Sequence, residues 1–419
     1  MRRAEALRAE SGGTGPLSGA GTVPAAAQEP DRGSRIVLVA GEASGDALGA
    51  GLIAAIRQRA PRTRFEGIGG PRMAAAGMDV WHRSERLAVR GYVEVLGRLR
   101  EILAIRRDVR SRVLADRPDA FVGIDAPDFN LLLEQRLRRA GVPVVHYVSP
   151  SIWAWRAERI SRIRKSVDLM LALFPFEQAL YEEAGIPVSV VGHPLADAIP
   201  EQVPRERARS DLRLAPDGPI VALLPGSRIA EVEHHAGLFL QTARRIAERL
   251  PGVRFLVPLV SRETREIFEA RVYESGEGLQ LTMLFGHAQD AIAAADVVLV
   301  ASGTATLEAA LLRRAMVITY RMPGFSWWLT KRRMCSPYFG LPNILAGEYL
   351  VPEIMQDDAT PENLAQALLN LFADGEVRRK LDVRLAGIGN ALRLGASARA
   401  AHAIMQLVDL RRDHEHCSG

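Results

Sequence analysis

Ile36-Val37-Leu38-Val39-Ala40-Gly41-Glu42-Ala43-Ser44-Gly45-Asp46 decides the fold. Five apolar residues run into a glycine turn, and the apolar spacing then lengthens through Leu48 and Leu52. A short apolar run that ends in a turn and gives way to helical spacing is the βα half of a parallel sheet. Outward from it the alternation recurs, with strands expected at Arg64–Ile68, Ala120–Ile124, Val142–Val148, Leu169–Leu173 and Val188–Val191. The series ends at Gly192-His193-Pro194, and a polar connection from Pro200 to Pro219 follows. A second series then begins, with strands expected at Ile220–Leu224, Arg254–Val257, Leu279–Leu284, Val297–Val300 and Val317–Tyr320. The expected architecture is α/β, two Rossmann-like domains with parallel sheets and a cleft between them. Its divisions are a disordered leader over 1–33, a first domain over 34–197, a second over 198–395, and a last helix and tail over 396–419 that return to the first domain.

The chain has 419 residues, room for two or three domains, and its 48% hydrophobic and 25% charged content excludes a mostly disordered protein. Lys and Arg exceed Asp and Glu by 54 to 49, so the surface mildly favours anions. Cys335 and Cys417 form no CxxC pair, which argues against a disulfide framework or a cysteine zinc site. The longest apolar runs are far shorter than the ~18 residues of a membrane span. His146, His193 and His287 show no HExxH-like spacing, so no metal is expected, and His193 before Pro194 reads as a hinge residue.

Ligands of open parallel sheets bind at the carboxyl ends of the strands, and four motifs stand there. Gly41–Asp46 is not GxGxxG and carries no Walker lysine, but Glu42, Ser44 and Gly45 lie where a helix N-terminus offers N–H groups to an anion or a sugar hydroxyl. In Gly123-Ile124-Asp125-Ala126-Pro127-Asp128-Phe129-Asn130, Asp125 is placed to act as a general base. Leu224-Pro225-Gly226-Ser227-Arg228 sets an arginine fork on a turn, suited to a diphosphate or, more plainly, to pairing with Glu231. Ser302-Gly303-Thr304 opens a helix as an anion cradle, and Glu308 either accepts hydrogen bonds from a ribose diol or is an ordinary first-turn acid.

A fifth feature is a stripe in which Val93, Val95, Leu96, Leu99, Ile102 and Leu103 interleave with Arg98, Arg100, Arg106 and Arg107. It fits a helix lying on anionic lipid, or an ordinary amphipathic helix against the core. Trp153-Ala154-Trp155-Arg156 and Phe325-Ser326-Trp327-Trp328 also set aromatics beside basic residues. No RRM, KH or zinc-finger pattern accompanies them, so nucleic acid is not the expected partner.

Together with Ser149-Pro150-Ser151-Ile152-Trp153-Ala154-Trp155-Arg156 and Leu341-Pro342-Asn343, these motifs stand in the order of the lipid-A-disaccharide synthase family, which the chain closely resembles from about Arg35 to about Leu410. The resemblance implies a GT-B glycosyltransferase that joins UDP-2,3-diacylglucosamine to 2,3-diacylglucosamine 1-phosphate (lipid X). The products are a β-1,6-linked disaccharide 1-phosphate and UDP, and no metal or other cofactor is used. It implies Asp125 as base, Arg228, Ser302–Thr304 and Glu308 around the donor, and Glu42 and Asn343 as cleft residues near the UDP-sugar. It further implies a peripheral position on the inner face of the cytoplasmic membrane and makes a homodimer conceivable. The other readings are a different GT-B UDP-N-acetylglucosamine transferase or epimerase, and a UDP-sugar-binding scaffold at a membrane.

Overall fold

In the computed structural model, residues 33–87, 92–152, 159–334 and 336–418 are described. Two wholly parallel sheets carry the chain. The first has the order β3-β2-β1-β4-β5-β6-β7, from β1 (Arg35–Ala40), β2 (Arg64–Gly69), β3 (Asp79–Arg83), β4 (Ala120–Ile124), β5 (Val144–Tyr147), β6 (Leu169–Ala172) and β7 (Val188–Val190). The second has the order β10-β9-β8-β11-β12-β13, from β8 (Ile220–Leu224), β9 (Arg254–Leu259), β10 (Gln280–Phe285), β11 (Val297–Ala301), β12 (Ala315–Tyr320) and β13 (Glu353–Met355). Strand order reverses between β1 and β4 in one sheet and between β8 and β11 in the other. All four strand-end motifs of the sequence therefore flank a switch point, where the diverging connections leave a crevice for a ligand.

Both faces of the first sheet are covered, which is why β1 reads as an unbroken apolar run. Ile36, Leu38 and Ala40 enter one core cluster, while Val37 and Val39 enter a second with Ile105, Val109 and Val113 of the helix Tyr92–Ala115. Each large side chain so buried stabilises the fold by roughly 1.5–3 kcal/mol. A repeated device pins neighbouring strands at their amino ends. The Asp119 carboxylate accepts from Arg35 N at 2.7 Å, Asp168 from Val144 N at 2.9 Å and Asp296 from Ile220 N at 2.8 Å.

The chain crosses between the sheets twice, at adjacent places. His193 N donates to Leu392 O at 2.9 Å, and Asp197 accepts from Gly395 N and Ala396 N at 2.9 and 2.6 Å. From there the helix Ala396–Ser418 returns to the first sheet and packs on the helix Ala43–Arg59, burying Ala400, Ala401, Ile404 and Val408. Arg412 ties it to Asp119 at 2.8 Å. Among the described residues no helix is long and apolar enough to cross a membrane. The leader expected over 1–33 falls, but for Gly33, outside the described residues.

Candidate functional site

At the first switch point two motifs touch. A Cβ on Gly41 would lie 2.7 Å from the Ala126 Cβ, so the glycine lets the turn after β4 close against the turn after β1. Asp125 and Ala126 are both left-handed, with φ of 52° and 44°, a conformation that costs a non-glycine residue roughly 1–2 kcal/mol. Hydrogen bonds hold it: Asp125 N donates to Tyr147 O at 2.8 Å, and the Asn130 side chain donates to Asp125 O at 2.8 Å. The Asp125 residue itself is half-buried at the strand end.

On the other side of this crevice Glu42 and Ser44 are exposed and Gly45 is buried at the start of the helix Ala43–Arg59. Asp46, by contrast, is buried and fully engaged. Its Oδ1 accepts from Gly70 N and Met73 N at 2.8 and 3.0 Å, and its Oδ2 accepts from Arg72 N at 3.0 Å. These bonds hold the start of the short helix Pro71–Ala75.

The second switch point holds a cavity of about 480 Å³, lined by Ser227, Arg228, Ser302, Gly303, Thr304 and Glu308 among others. Glu231 shapes its turn: one carboxylate oxygen accepts from Ser227 N and Arg228 N at 2.9 and 3.2 Å, the other from the Arg228 guanidinium at 3.0 Å. The plainer reading of Arg228 thus holds, yet 76% of its side chain stays exposed at the cavity wall, leaving donors for an anion. Opposite, the helix Thr304–Leu311 turns its N-terminus, which has no side-chain cap, to the cavity. Burial raises the Glu308 pKa, and a hydrogen bond with Gln289 only partly opposes this.

Other residues line this site that the sequence did not place there. Trp327 stacks on Phe339 with centroids 5.3 Å apart, and both line the cavity. Its neighbour Trp328 is 51% exposed beneath the Arg332 guanidinium, so the aromatic-basic pair divides between wall and surface. Behind the wall His235 Nδ1 donates to Pro225 O at 2.9 Å, and its Nε2 accepts from Arg321 N at 2.9 Å. Only the neutral ring can make both bonds, and burial lowers its pKa accordingly. That ring ties the turn after β8 to the turn after β12.

Asn343 is a residue expected in the cleft near the UDP-sugar. It is fully buried and does not line the cavity. Its Nδ2 donates to Val351 O at 2.9 Å and to Glu353 Oε1 at 2.8 Å, and its Oδ1 accepts from Val351 N at 2.9 Å. Glu353 in turn accepts from Phe339 N and Gly340 N at 2.9 and 2.8 Å. Asn343 therefore holds the Phe339 wall and has no side-chain hydrogen left for a ligand. Nor do Glu42, Ser44, Gly45 and Asp125 line this cavity, since they gather at the other switch point.

Of the apolar-basic stripe, Leu99 is 41% exposed, Ile102 and Leu103 are half-buried, and the side chains of Val93, Val95 and Leu96 lie outside the described residues, as does Trp153–Arg156.

Against this geometry, the family model described as "Lipid-A-disaccharide synthetase" matches residues 36–407. The chain belongs to that family. A lipid-A-disaccharide synthase of Azoarcus sp. (strain BH72) is 55% identical over 372 residues, 88% of this chain and 95% of that one. The lipid-A-disaccharide synthase of Pseudomonas aeruginosa (strain UCBPP-PA14) is 52% identical over 379 residues, 90% and 99% of the two chains. Solved structures of other proteins share the fold. The calicheamicin glycosyltransferase CalG4 superposes with a TM-score of 0.60 at 16% identity, covering 90% of this chain and 99% of its own. A Neisseria meningitidis UDP-GlcNAc 2-epimerase bound to UDP-GlcNAc does so with a TM-score of 0.59 at 12% identity, covering 89% and 100%. Family and fold together make this lipid-A-disaccharide synthetase family member a GT-B glycosyltransferase.

Proposed function

We propose that the protein transfers the sugar of UDP-2,3-diacylglucosamine to the 6-hydroxyl of 2,3-diacylglucosamine 1-phosphate with inversion, and that Asp125 is the base. The observation that carries this is the cavity where Arg228, the helix opened by Ser302-Gly303-Thr304 and Glu308 converge, in a chain of this family. The diphosphate lies at the helix N-terminus beside Arg228, and Glu308 accepts from the ribose. Asp125 takes the proton of the acceptor hydroxyl as its oxygen bonds to the anomeric carbon. The bond to the UDP oxygen breaks and its electron pair leaves with UDP, whose growing charge Arg228 and the helix N-terminus stabilise. A positioned base contributes ~10²–10⁴-fold.

In this reading the first domain (34–197) receives the acceptor and the second (198–395) holds the donor. Acyl chains favour membrane over water by roughly 0.8 kcal/mol per methylene, so the enzyme meets its substrates at the inner face of the cytoplasmic membrane. The exposed Leu99 beside Arg100, with Arg107 further along the same helix, supports a peripheral contact there.

The test is a mass-spectrometric assay of the purified protein with both lipids in mixed micelles, beside Asp125→Asn. Disaccharide 1-phosphate from the wild type and at least a hundredfold less from the variant is the expected result. Equal turnover by Asp125→Asn refutes the base, and UDP-sugar binding without product refutes the reaction.

A further inference from the structure

Beneath the strained Asp125 turn lies an ionisable pair that the chemistry above leaves unused. His146 and Glu134 are both fully buried, and Nδ1 of the histidine meets Oε1 of the glutamate at 2.6 Å. His146 stands on β5 directly beside Gly123 of β4, and Glu134 reaches it from the helix Pro127–Arg139 that Asp125 and Ala126 lead into. The carboxylate occupies the space a side chain at 123 would need, since a Cβ there would lie 2.0 Å from Glu134 Oε1. Three polar atoms around the pair, Asn130 Oδ1, Glu134 Oε2 and His146 Nε2, have no hydrogen-bond partner among the described residues. Burial alone would lower the His146 pKa, but the Glu134 carboxylate, its hydrogen bond and the charge of Asp125 outweigh it and hold the ring above its ordinary value.

A buried ion pair is a poor source of stability, because desolvation offsets most of its attraction. A strained turn, on the other hand, persists only where its surroundings over-determine it. We propose that Glu134 and His146 form a positioning dyad that clamps the helix behind Asp125 onto β4 and β5, and so holds the Asp125 carboxylate where it meets the acceptor hydroxyl. The inference rests on Asp125 being the base. Glu134 and His146 themselves touch no substrate; the dyad acts through the turn.

The experiment compares Glu134→Gln, the double variant Glu134→Gln/His146→Gln, and Asp125→Asn, all in the full-length protein. kcat, donor KM and UDP affinity are measured together with the thermal midpoint. The double variant leaves no buried charge unpaired and keeps the claim testable should the single one fail to fold. The expected result is a fall in kcat of at least about tenfold in the dyad variants, with donor KM and UDP affinity within twofold of wild type. A dyad that serves only stability would lower the thermal midpoint and leave kcat per folded molecule unchanged, which overturns the proposal. Unchanged kcat in the double variant beside an inactive Asp125→Asn overturns the dyad alone. An active Asp125→Asn overturns the base reading, and the dyad's role with it.

Discussion

Acid should loosen the protein at the point where its chain passes between the two sheets. His193 caps the helix Pro194–Ala198 there, its Nδ1 accepting from Leu195 N at 3.2 Å, while its own N–H bonds Leu392 O. Burial pushes its pKa down to about 4, against the opposing charge of Asp197. An unfolded histidine titrates near 6.5, so between these values the unfolded chain binds a proton that the folded one refuses. The stabilisation from a neutral His193 is complete above about pH 6.5 and is lost as pH falls towards 4. At pH 4.5 about two pH units of that window have been crossed, which amounts to roughly 2–3 kcal/mol. His193→Asn keeps a side-chain acceptor at the N-cap, where asparagine is well suited, but removes the titration. Thermal midpoints of both proteins are followed from pH 7.5 to 4.5. With an unfolding entropy of about 0.9 kcal/mol/K for a chain of 419 residues, the variant should gain about 3 °C on the wild type across that range. His235, whose pKa burial also lowers, contributes equally to both proteins and cancels in the difference. Midpoints that fall in parallel would refute the reasoning, because they would mean His193 takes up its proton without disturbing the crossing.

Three further outcomes follow from the two switch points. Arg228→Ala should raise the donor KM tenfold or more, since a hydrogen bond from a charged donor is worth roughly 1.5–3 kcal/mol; Arg228→Lys should recover part of that, keeping the charge but not the fork, and steady-state kinetics in the donor decide. Glu308 carries a raised pKa, so with its carboxylate accepting from the ribose, UDP affinity should weaken on acidification by more in the wild type than in Glu308→Gln; calorimetric titration of UDP against both proteins across pH reads the difference, in which the titration of UDP itself cancels. Gly123→Ala must displace the Glu134 carboxylate from its contact with His146, and stranding one partner of a buried pair costs about 3 kcal/mol or more, so a lowered denaturant midpoint is expected, and an unaltered one would mean the space over residue 123 is not filled as described.

Interior strands were legible in the sequence because burial on both faces leaves them no polar residues, as in Ile36–Ala40 and Val297–Ala301. The two strands that escaped it are edges. In β3, Asp79-Val80-Trp81-His82-Arg83, every residue stays at least partly exposed, and β13 is three residues long, so neither shows an apolar run to read. The site was legible in the same uneven way. Motifs after β8 and β11 did converge on one cavity, because a parallel sheet sends the connections of its switch-point strands apart around a common crevice. What a string of residues does not separate is a group that faces the crevice from one that shapes it. Asn343 and Asp46 sit in motifs as conspicuous as Arg228 does, yet every hydrogen bond found for their side chains is to the protein itself, to the start of the helix Pro71–Ala75 for Asp46 and to Val351 and Glu353 for Asn343. Gly41 and Gly123 stand out for what they lack, since each leaves room for a group from elsewhere in the fold, the Ala126 methyl in one case and the Glu134 carboxylate in the other. Glu134 and His146 fall twelve residues apart on different elements and become a pair only when β4 and β5 align. The chemistry of this protein is thus written twice along the chain. The residues proposed to meet the substrates stand at strand ends, where spacing exposes them, and the residues that hold those strand ends in place are dispersed through the interior, where only packing can bring them together.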